Sequence, residues 1–500
     1  MGQVALAPAL AQEDVAETKA NSAIDATPIV EPAITDTDRE HWSFAPIQRH
    51  PLPLTRQPEW LRTGIDAFIL AKLAAKDLQP APAADRPTLL RRLSFDLTGL
   101  PPTPEEIAAI LSPSPPPPLA HSVAHDGDRP DWYERVVDRL LASPAFGERF
   151  GQSWLDLARF AESDGYEFDT VRPHAWKYRD WVIAALNADL PYDDFVRLQL
   201  AGDEAENAER GAWIVEQMNS ALRTPTSKSD TDTKAKSKKP TAPPPALAQI
   251  PTTFCLAGSD MPDVNDQLER RHVLLNELTS TVGAVFLGLQ VGCAQCHNHK
   301  YDPISQADFY RLRAVFEPAV ATLKRDMPYN VLANQPDAAP ARFWVRGDHR
   351  RPGLEVPPAF PRIADSAPER GTRNVERGAE QSASSSPLPA PRSALASWLI
   401  RPSNPLTSRV IANRLWQHHF GRGLCATPSD FGVMGGPVTH PELLDWLALE
   451  LRDNGWNMKR LHRTILSSST YRQASNHASP SPQPLAPSPS SPDPENDLYH

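Results

Sequence analysis

Val291-Gly292-Cys293-Ala294-Gln295-Cys296-His297-Asn298-His299-Lys300-Tyr301-Asp302-Pro303 is the stretch from which the interpretation of this chain starts, because it contains the pattern Cys-x-x-Cys-His. Two thiols at this spacing can each add to a vinyl group of haem, and the adjacent imidazole can then ligate the iron. The chain has four Cys and 15 His in 500 residues, so the pattern is expected by chance in on the order of one in a thousand such chains. The sequence therefore predicts covalent c-type haem on Cys293 and Cys296, with His297 as the proximal iron ligand and hence the metal-binding residue.

Other chemistry is open to the same residues. Cys293 and Cys296, with Cys255 and either His297 or His299, could form a structural zinc site of three thiolates and one imidazole. A bare Cys-x-x-Cys could also be a dithiol redox pair, or two cysteines packed as small apolar side chains.

The second axial ligand of such a haem is not evident from the spacing of residues. The candidates are Met261, His272 and Met327, and an open iron position is an equal alternative. His299 lies too close to His297 along the chain to reach the opposite face of a haem easily.

Composition limits the class of protein. A chain of 500 residues is expected to hold more than one domain, and 54 Pro concentrated in a few runs indicate linkers. A net charge of −10 disfavours a general nucleic-acid binder. The sequence contains no run of about 18 apolar residues, so no transmembrane segment is expected, and four Cys do not make a disulfide framework.

Apolar spacing predicts a mainly α fold of multi-helix domains with minor β or extended segments and disordered linkers. Helices are expected over about residues 59–76 and 263–289, and the second of these leads into the Cys motif. A capping-box-like start at Ser305 opens the next helix, so the motif is predicted to lie in a helix-loop-helix. Residues 343–361 are expected to be strand or extended structure.

The same patterns predict the following organisation: a disordered or truncated signal region (1–38), the N-terminal helical part of a first domain (39–204), a disordered insert (205–249), the Cys-x-x-Cys-His part of the same domain (250–320), an extended connection (321–362), a linker (363–393), a C-terminal helical domain that looks truncated (394–476) and a Pro/Ser-rich tail (477–500).

Two further groups of polar residues could carry chemistry. Asp164, Glu167 and Arg172 could form an acid/base or cation site, although ion pairing within a solvated loop is the favoured interpretation. In the C-terminal region His418, His440 and His462 could bind a metal, although each taken alone is more simply a capping or core histidine.

Longer motifs carry a family resemblance. The first set is His41-Trp42-Ser43-Phe44, the stretch from Arg92 to Pro102 and the stretch from Val291 to Phe309; the second is Val410 to Trp416, His418 to Gly423 and His440 to Asp445. With these motifs the chain resembles large planctomycete proteins that join a cytochrome-c-type domain of unknown function to a second, C-terminal planctomycete domain of unknown function. The resemblance covers most of residues 40–475 outside the linkers.

The resemblance implies an exported, periplasmic or otherwise extracytoplasmic protein in which haem is attached after export. Family members often carry a separate N-terminal cytochrome-type domain, which is not found here, and a longer second domain, so the chain is expected to be partial at both ends. Residues 4–12 are similar to the end of a signal peptide, without the usual basic segment before it.

These observations together predict an exported c-type haem protein that transfers single electrons to a redox partner protein. Two alternatives stay open. One is an extracytoplasmic enzyme, polysaccharide-related for example, with a separate carboxylate or histidine site. The other is a structural module in which zinc occupies the Cys motif.

Overall fold

A computed structural model describes residues 24–111, 132–166, 169–204, 207, 211, 249–260, 264, 266–320, 332, 334–335, 338–365 and 390–475. The predicted mainly α fold is confirmed. The α-helices before the Cys motif are α1 (Asp36–Glu40), α2 (Gly64–Ala74), α3 (Arg86–Thr98), α4 (Pro104–Leu111), α5 (Trp132–Leu141), α6 (Pro144–Leu157), α7 (Trp176–Asn187), α8 (Tyr192–Ala201) and α9 (Gln267–Val282). Those after it are α10 (Gln306–Ala314), α11 (Pro391–Ile400), α12 (Thr407–Phe420), α13 (Pro441–Asp453) and α14 (Met458–Ser467).

Helix starts follow local capping chemistry. Helix α2 begins later than the sequence predicts, because Pro58–Trp60 forms a separate 3₁₀ turn and a capping box between Thr63 and Asp66 restarts the helix. Helix α3 begins at the Asp85 cap, whose carboxylate accepts from Thr88 N at 2.8 Å, and ends at Gly99 with φ of 71°.

The extended connection forms a small hairpin. Strand β1 (Arg342–Trp344) pairs antiparallel with β2 (Pro352–Glu355), with Arg342 opposite Glu355. The sequence places strand or extended structure here. The structure adds the tight connection, in which Arg346 and Gly347 both have positive φ.

The buried apolar side chains form one continuous cluster that includes residues of the N-terminal helices, of α9 and α10, and of α11 to α14. Polar groups tie the same parts together. Arg392 at the start of α11 is fully buried and binds Asp203 Oδ2 at 2.7 Å. Arg409 in α12 binds Asp445 at 2.6 Å and donates to the carbonyl oxygen of Ala45 at 2.9 Å.

Residues 24–38 differ from the disorder predicted for them. The Glu31 carboxylate binds the Arg311 guanidinium at 2.5 and 2.8 Å, and Thr35 caps α1 with a capping box. The cause is a tertiary ion pair, which composition alone does not reveal. Residues 1–23, most of the predicted insert at 205–249, most of the linker at 363–393 and all of the tail at 477–500 lie outside the described residues.

No helix among the described residues is both long enough and apolar enough to span a bilayer.

Candidate functional site

The Cys motif lies on a short turn between α9 and α10. Helix α9 is followed by a π-helical turn, Gly283–Leu287, which ends at Gly288 with φ of 59°. A Cβ at Gly288 would lie 2.9 Å from Val410 Cγ2, so glycine is required both for the turn and for the close approach of α12. A 3₁₀ turn, Val291–Gln295, then presents the motif, and the predicted helix-loop-helix is present.

Cys293 and Cys296 are both exposed, and neither is in a disulfide. The hairpin connection lies against the second of them. A Cβ at Gly347 would lie 2.8 Å from Cys296 Sγ, and Gly347 also has φ of 75°. Glycine at position 347 therefore leaves the space that the Cys296 thiol needs.

His297 is exposed and its ring is fixed in one tautomer. Its Nδ1 lies 2.7 Å from the carbonyl oxygen of Asn298, which can only accept a hydrogen bond, so Nδ1 carries the proton. The lone pair then resides on Nε2. A ring N–H that donates to a backbone carbonyl is the arrangement typical of metal-ligating histidines, because it orients the ring and raises its basicity.

Helix α10 holds the turn in place from below. The Gln295 carbonyl oxygen accepts from Tyr310 Oη at 2.9 Å and from Gln306 Nε2 at 2.8 Å. The Asn298 side-chain oxygen accepts from Gln306 N at 2.9 Å. A capping box between Ser305 and Asp308 fixes the start of this helix. The backbone under the exposed donors is therefore preorganised.

His299 forms a hydrogen bond within the Cys loop. Its Nδ1 accepts from the backbone N of Asp302 at 2.8 Å, so the proton is on Nε2. The buried Asp302 carboxylate in turn accepts from Val433 N at 2.7 Å. A Cβ at Gly432 would overlap this carboxylate. The C-terminal segment from Asp430 to Val433 thus closes on the Cys loop, and neither stretch of sequence signals the contact with the other.

The described residues do not form the alternative zinc site of Cys255 with the Cys motif. Cys255 is buried in the core, where Sγ donates to Gln199 O at 3.5 Å and burial raises the pKa of the thiol to about 12. Across the described part of the chain, the only three ligand groups within metal-binding reach of one another are Asp266, Glu269 and His349. The structure therefore does not bring Cys255 together with the Cys motif.

His272 is a poor axial ligand. Its Nε2 donates to Gly347 O at 3.0 Å, and its Nδ1 accepts from the Arg313 guanidinium at 3.0 Å. Burial and the neighbouring Arg313 lower the pKa of His272 to about 3. The Nδ1 lone pair is already used by Arg313, so an iron bond there would cost that buried hydrogen bond. The other candidates, Met261 and Met327, lie outside the described residues.

Asp164 and Arg172 form an ion pair. Arg172 Nε binds Asp164 at 2.6 Å, and its terminal nitrogens donate to the carbonyl oxygens of Ala257 and Gly258 at 2.9 and 2.8 Å. Glu167 lies outside the described residues. The ion pair lies within one loop, as the favoured interpretation has it, and the two carbonyl contacts tie that loop to residues 257 and 258.

The three C-terminal histidines do not form one group. His440 Nδ1 lies 3.0 Å from Thr439 Oγ1 at the start of α13, away from the other two. His462 instead meets His419, with Nδ1 and Nε2 2.8 Å apart. His419 Nδ1 lies 3.5 Å from the Asp96 carboxylate. Sequence reasoning missed His419 and Asp96, since they lie on helices far apart in the chain.

His418 and His462 line a small, mostly apolar cavity of about 50 Å³ between α6, α12 and α14. Burial lowers the pKa of His418 to about 4 and that of His462 well below its usual value, and the neighbouring histidines add to both shifts. We call Asp96, His418, His419 and His462 the histidine cluster. The lowered pKa values keep the His418 and His462 rings neutral near pH 7. Within the cluster, His419 hydrogen-bonds His462 and lies beside Asp96, whereas His418 packs against Phe150.

Fold and site together define a mainly helical protein with an exposed Cys-x-x-Cys-His loop clamped by a C-terminal helical region. The model of the PSCyt2 family, a protein of unknown function (DUF1549), matches residues 64–322, which is more than half of the chain. The chain therefore belongs to that family. The model of PSD1, also a protein of unknown function (DUF1553), matches residues 391–500.

The expected pairing of two domains of unknown function is thus confirmed. Neither description names a cofactor or a reaction. A search of curated proteins and one of solved structures found no match.

Proposed function

We propose that the Cys-x-x-Cys-His loop attaches haem covalently and that the protein transfers single electrons outside the cytoplasm. Cys293 and Cys296 would form the two thioethers, each by adding S–H across a vinyl group, and His297 would be the proximal ligand. The observation that carries the proposal is the state of the His297 ring, with Nδ1 donating to Asn298 O and Nε2 left for the iron.

The donor set fits this group in two further respects. Both thiols are free and exposed, as addition to a vinyl group requires. Tyr310 and Gln306 hold the turn through the Gln295 carbonyl oxygen, so the donors need little reordering on attachment. When bound, haem supplies one-electron chemistry at its iron, and the chain supplies attachment, orientation and the local electrostatics.

Location and partner follow from the same proposal. Covalent attachment after export implies a periplasmic or otherwise extracytoplasmic protein. The net charge of −10 would favour a redox partner with a basic docking face, because complementary charge accelerates encounter between proteins.

The test is a pyridine haemochrome spectrum, with iron and zinc analysis, on protein exported from a host that matures c-type cytochromes. We expect about one iron per chain and a c-type spectrum. The double substitution Cys293→Ser/Cys296→Ser should abolish covalent haem. Cys425→Ala is the matched control, because Cys425 is buried away from the motif and its loss should leave the iron content unchanged.

Zinc near one per chain without haem would refute the proposal and support the structural alternative. Haem that survives the double serine substitution would refute the assignment of the two thioethers.

A further inference from the structure

Three side chains that could ligate a metal ion meet where the hairpin connection approaches the start of α9. Asp266 caps this helix, Glu269 lies one turn later, and His349 lies between β1 and β2, 83 residues from Asp266 in the chain. Each offers one ligand atom, and these atoms all lie within 4.8 Å of one another. None of the three residues belongs to the Cys loop or to the histidine cluster, and none has a role in the proposed electron transfer.

Asp266 is positioned by the helix that it caps. Its Oδ1 accepts from the backbone N of Leu268 at 2.9 Å and from that of Glu269 at 3.2 Å. Its Oδ2 lies 3.1 Å from His349 Nε2. The carboxylate therefore meets the imidazole through the oxygen that the cap does not use.

His349 is held in place by the tight connection of the hairpin. The backbone N of Arg351 donates to Asp348 O at 2.9 Å, and the buried His272 donates to Gly347 O at 3.0 Å. The His349 side chain is only 16% exposed. Its imidazole is therefore oriented before any ion binds, which lowers the entropic cost of ligation.

The Glu269 carboxylate is the third ligand and is exposed. It forms no hydrogen bond or ion pair with any of the residues that the structure describes. Arg350 is close enough to interact electrostatically with both Glu269 and Asp266, but its guanidinium is bound by Asp348 at 3.0 and 3.3 Å. Two carboxylates beside an imidazole thus carry negative charge that a cation would compensate.

This set of donors matches the chemistry of divalent transition metals. Two carboxylate oxygens and one imidazole nitrogen suit zinc and its neighbours, with water in the remaining positions. In a tetrahedral site with bonds of about 2.1 Å, ligand atoms lie about 3.4 Å apart. Asp266 and His349 are already near this spacing at 3.1 Å, and the exposed Glu269 side chain is free to close the remaining distance.

We propose that Asp266, Glu269 and His349 bind one divalent transition-metal ion such as Zn²⁺, independently of any haem in the Cys loop. The ion takes the lone pair of His349 Nε2, and the ring proton then resides on Nδ1. It ties the hairpin connection to α9. Gly347, which leaves room for the Cys296 thiol, lies in the same connection, so the ion also steadies the backbone beside the Cys loop.

Isothermal titration of zinc chloride into the full chain carrying Cys293→Ser/Cys296→Ser tests the proposal. This background removes the two exposed thiols but leaves the proposed site intact, so zinc bound here is distinguished from zinc at the Cys motif. We expect about one ion per chain and a higher temperature of unfolding with zinc. Hydrogen exchange over residues 345–351 should also slow when zinc is added.

His349→Ala and Glu269→Gln should each weaken zinc binding at least about tenfold. His50→Ala is the matched control, since His50 also faces a carboxylate, that of Asp445 at 3.5 Å, but belongs to no group of three ligands among the described residues. Glu269 is exposed, so Glu269→Gln should keep the fold, which thermal unfolding without zinc checks. No saturable binding at submillimolar zinc, unchanged affinity in Glu269→Gln, or an equal loss in His50→Ala would each overturn the proposal.

Discussion

The Cys loop and the histidine cluster contain similar ligand atoms but differ in how those atoms are satisfied. In the Cys loop, two thiols and one imidazole nitrogen have no hydrogen-bond partner among the described residues, while the backbone beneath them is tightly held. In the histidine cluster, His419 and His462 bond each other at 2.8 Å and pack against Phe150. Availability of a lone pair, rather than the presence of histidine, therefore separates a candidate ligand from a structural residue.

Arg414 contributes to both regions, so its removal should have the largest effect. Its guanidinium donates to the carbonyl oxygens of Ala284, Val285 and Pro428 beside the Cys loop, while its side chain lines the cavity at the histidine cluster. Burial lowers the pKa of Arg414 to about 10, which shows that its charge is costly to bury.

In Arg414→Met the buried carbonyl group of Val285 and the part-buried ones of Ala284 and Pro428 would each lose a charged donor, at about 2 kcal/mol each, and relief of the buried charge would return about 3 kcal/mol. We expect the free energy of unfolding to fall by about 3 kcal/mol in urea denaturation. The same substitution at the exposed Arg56 should change it by less than about 0.5 kcal/mol. Equal stability of the two variants would show that Arg414 does not couple the regions.

The second-largest expected effect concerns the pH dependence of stability, to which the histidine cluster should contribute through His418. The folded-state pKa of His418 is lowered to about 4, below its value near 6.5 in an unfolded chain, mainly by burial. Between these two values the unfolded chain binds the additional proton. The stability contributed by the neutral His418 ring is thus fully present above pH 6.5 and is lost as the pH falls toward 4.

As the pH falls through this window, the free energy of unfolding should decrease by about 1 kcal/mol per pH unit because of His418. Partial exposure of this side chain makes the slope smaller than the limiting value of about 1.4 kcal/mol per pH unit. His418→Leu should reduce the slope measured by urea denaturation between pH 4.5 and 6.5 (roughly the window that linkage defines). Gln295→Leu, in the Cys loop, removes no titratable group and is expected to leave the slope as it is. A slope that responds equally to both substitutions would contradict the contrast between the regions.

The sequence revealed one region far better than the other. Cys293, Cys296 and His297 are adjacent in the chain, so their spacing alone identified the candidate site, and the apolar periodicity of the flanking segments placed it between two helices. The partners of His462 and Asp302 could not be found this way, because Asp96, His419 and Val433 reach them only through tertiary packing. The disorder expected for residues 24–38 failed for the same reason, through the Glu31–Arg311 pair.

The smallest effect on stability is expected for substitution of His297 in the Cys loop, in contrast to substitution of its neighbour His299. His297 is exposed and, among the residues with described structure, its ring bonds only the adjacent carbonyl oxygen, so His297→Ala should change the free energy of unfolding by less than about 0.5 kcal/mol. His299 is a matched control two residues away. His299→Ala would leave the buried backbone N of Asp302 without its acceptor and should cost about 1–3 kcal/mol.

The ligand role predicts the opposite ranking in spectra. With haem attached, loss of the His297 imidazole should change the visible and electron paramagnetic resonance spectra of the iron, whereas His299→Ala should retain them at temperatures where it stays folded. If His299→Ala altered the iron spectrum and His297→Ala did not, the assignment of Nε2 of His297 as the available lone pair would be wrong. The two neighbouring histidines would then have exchanged the roles that their hydrogen bonds define.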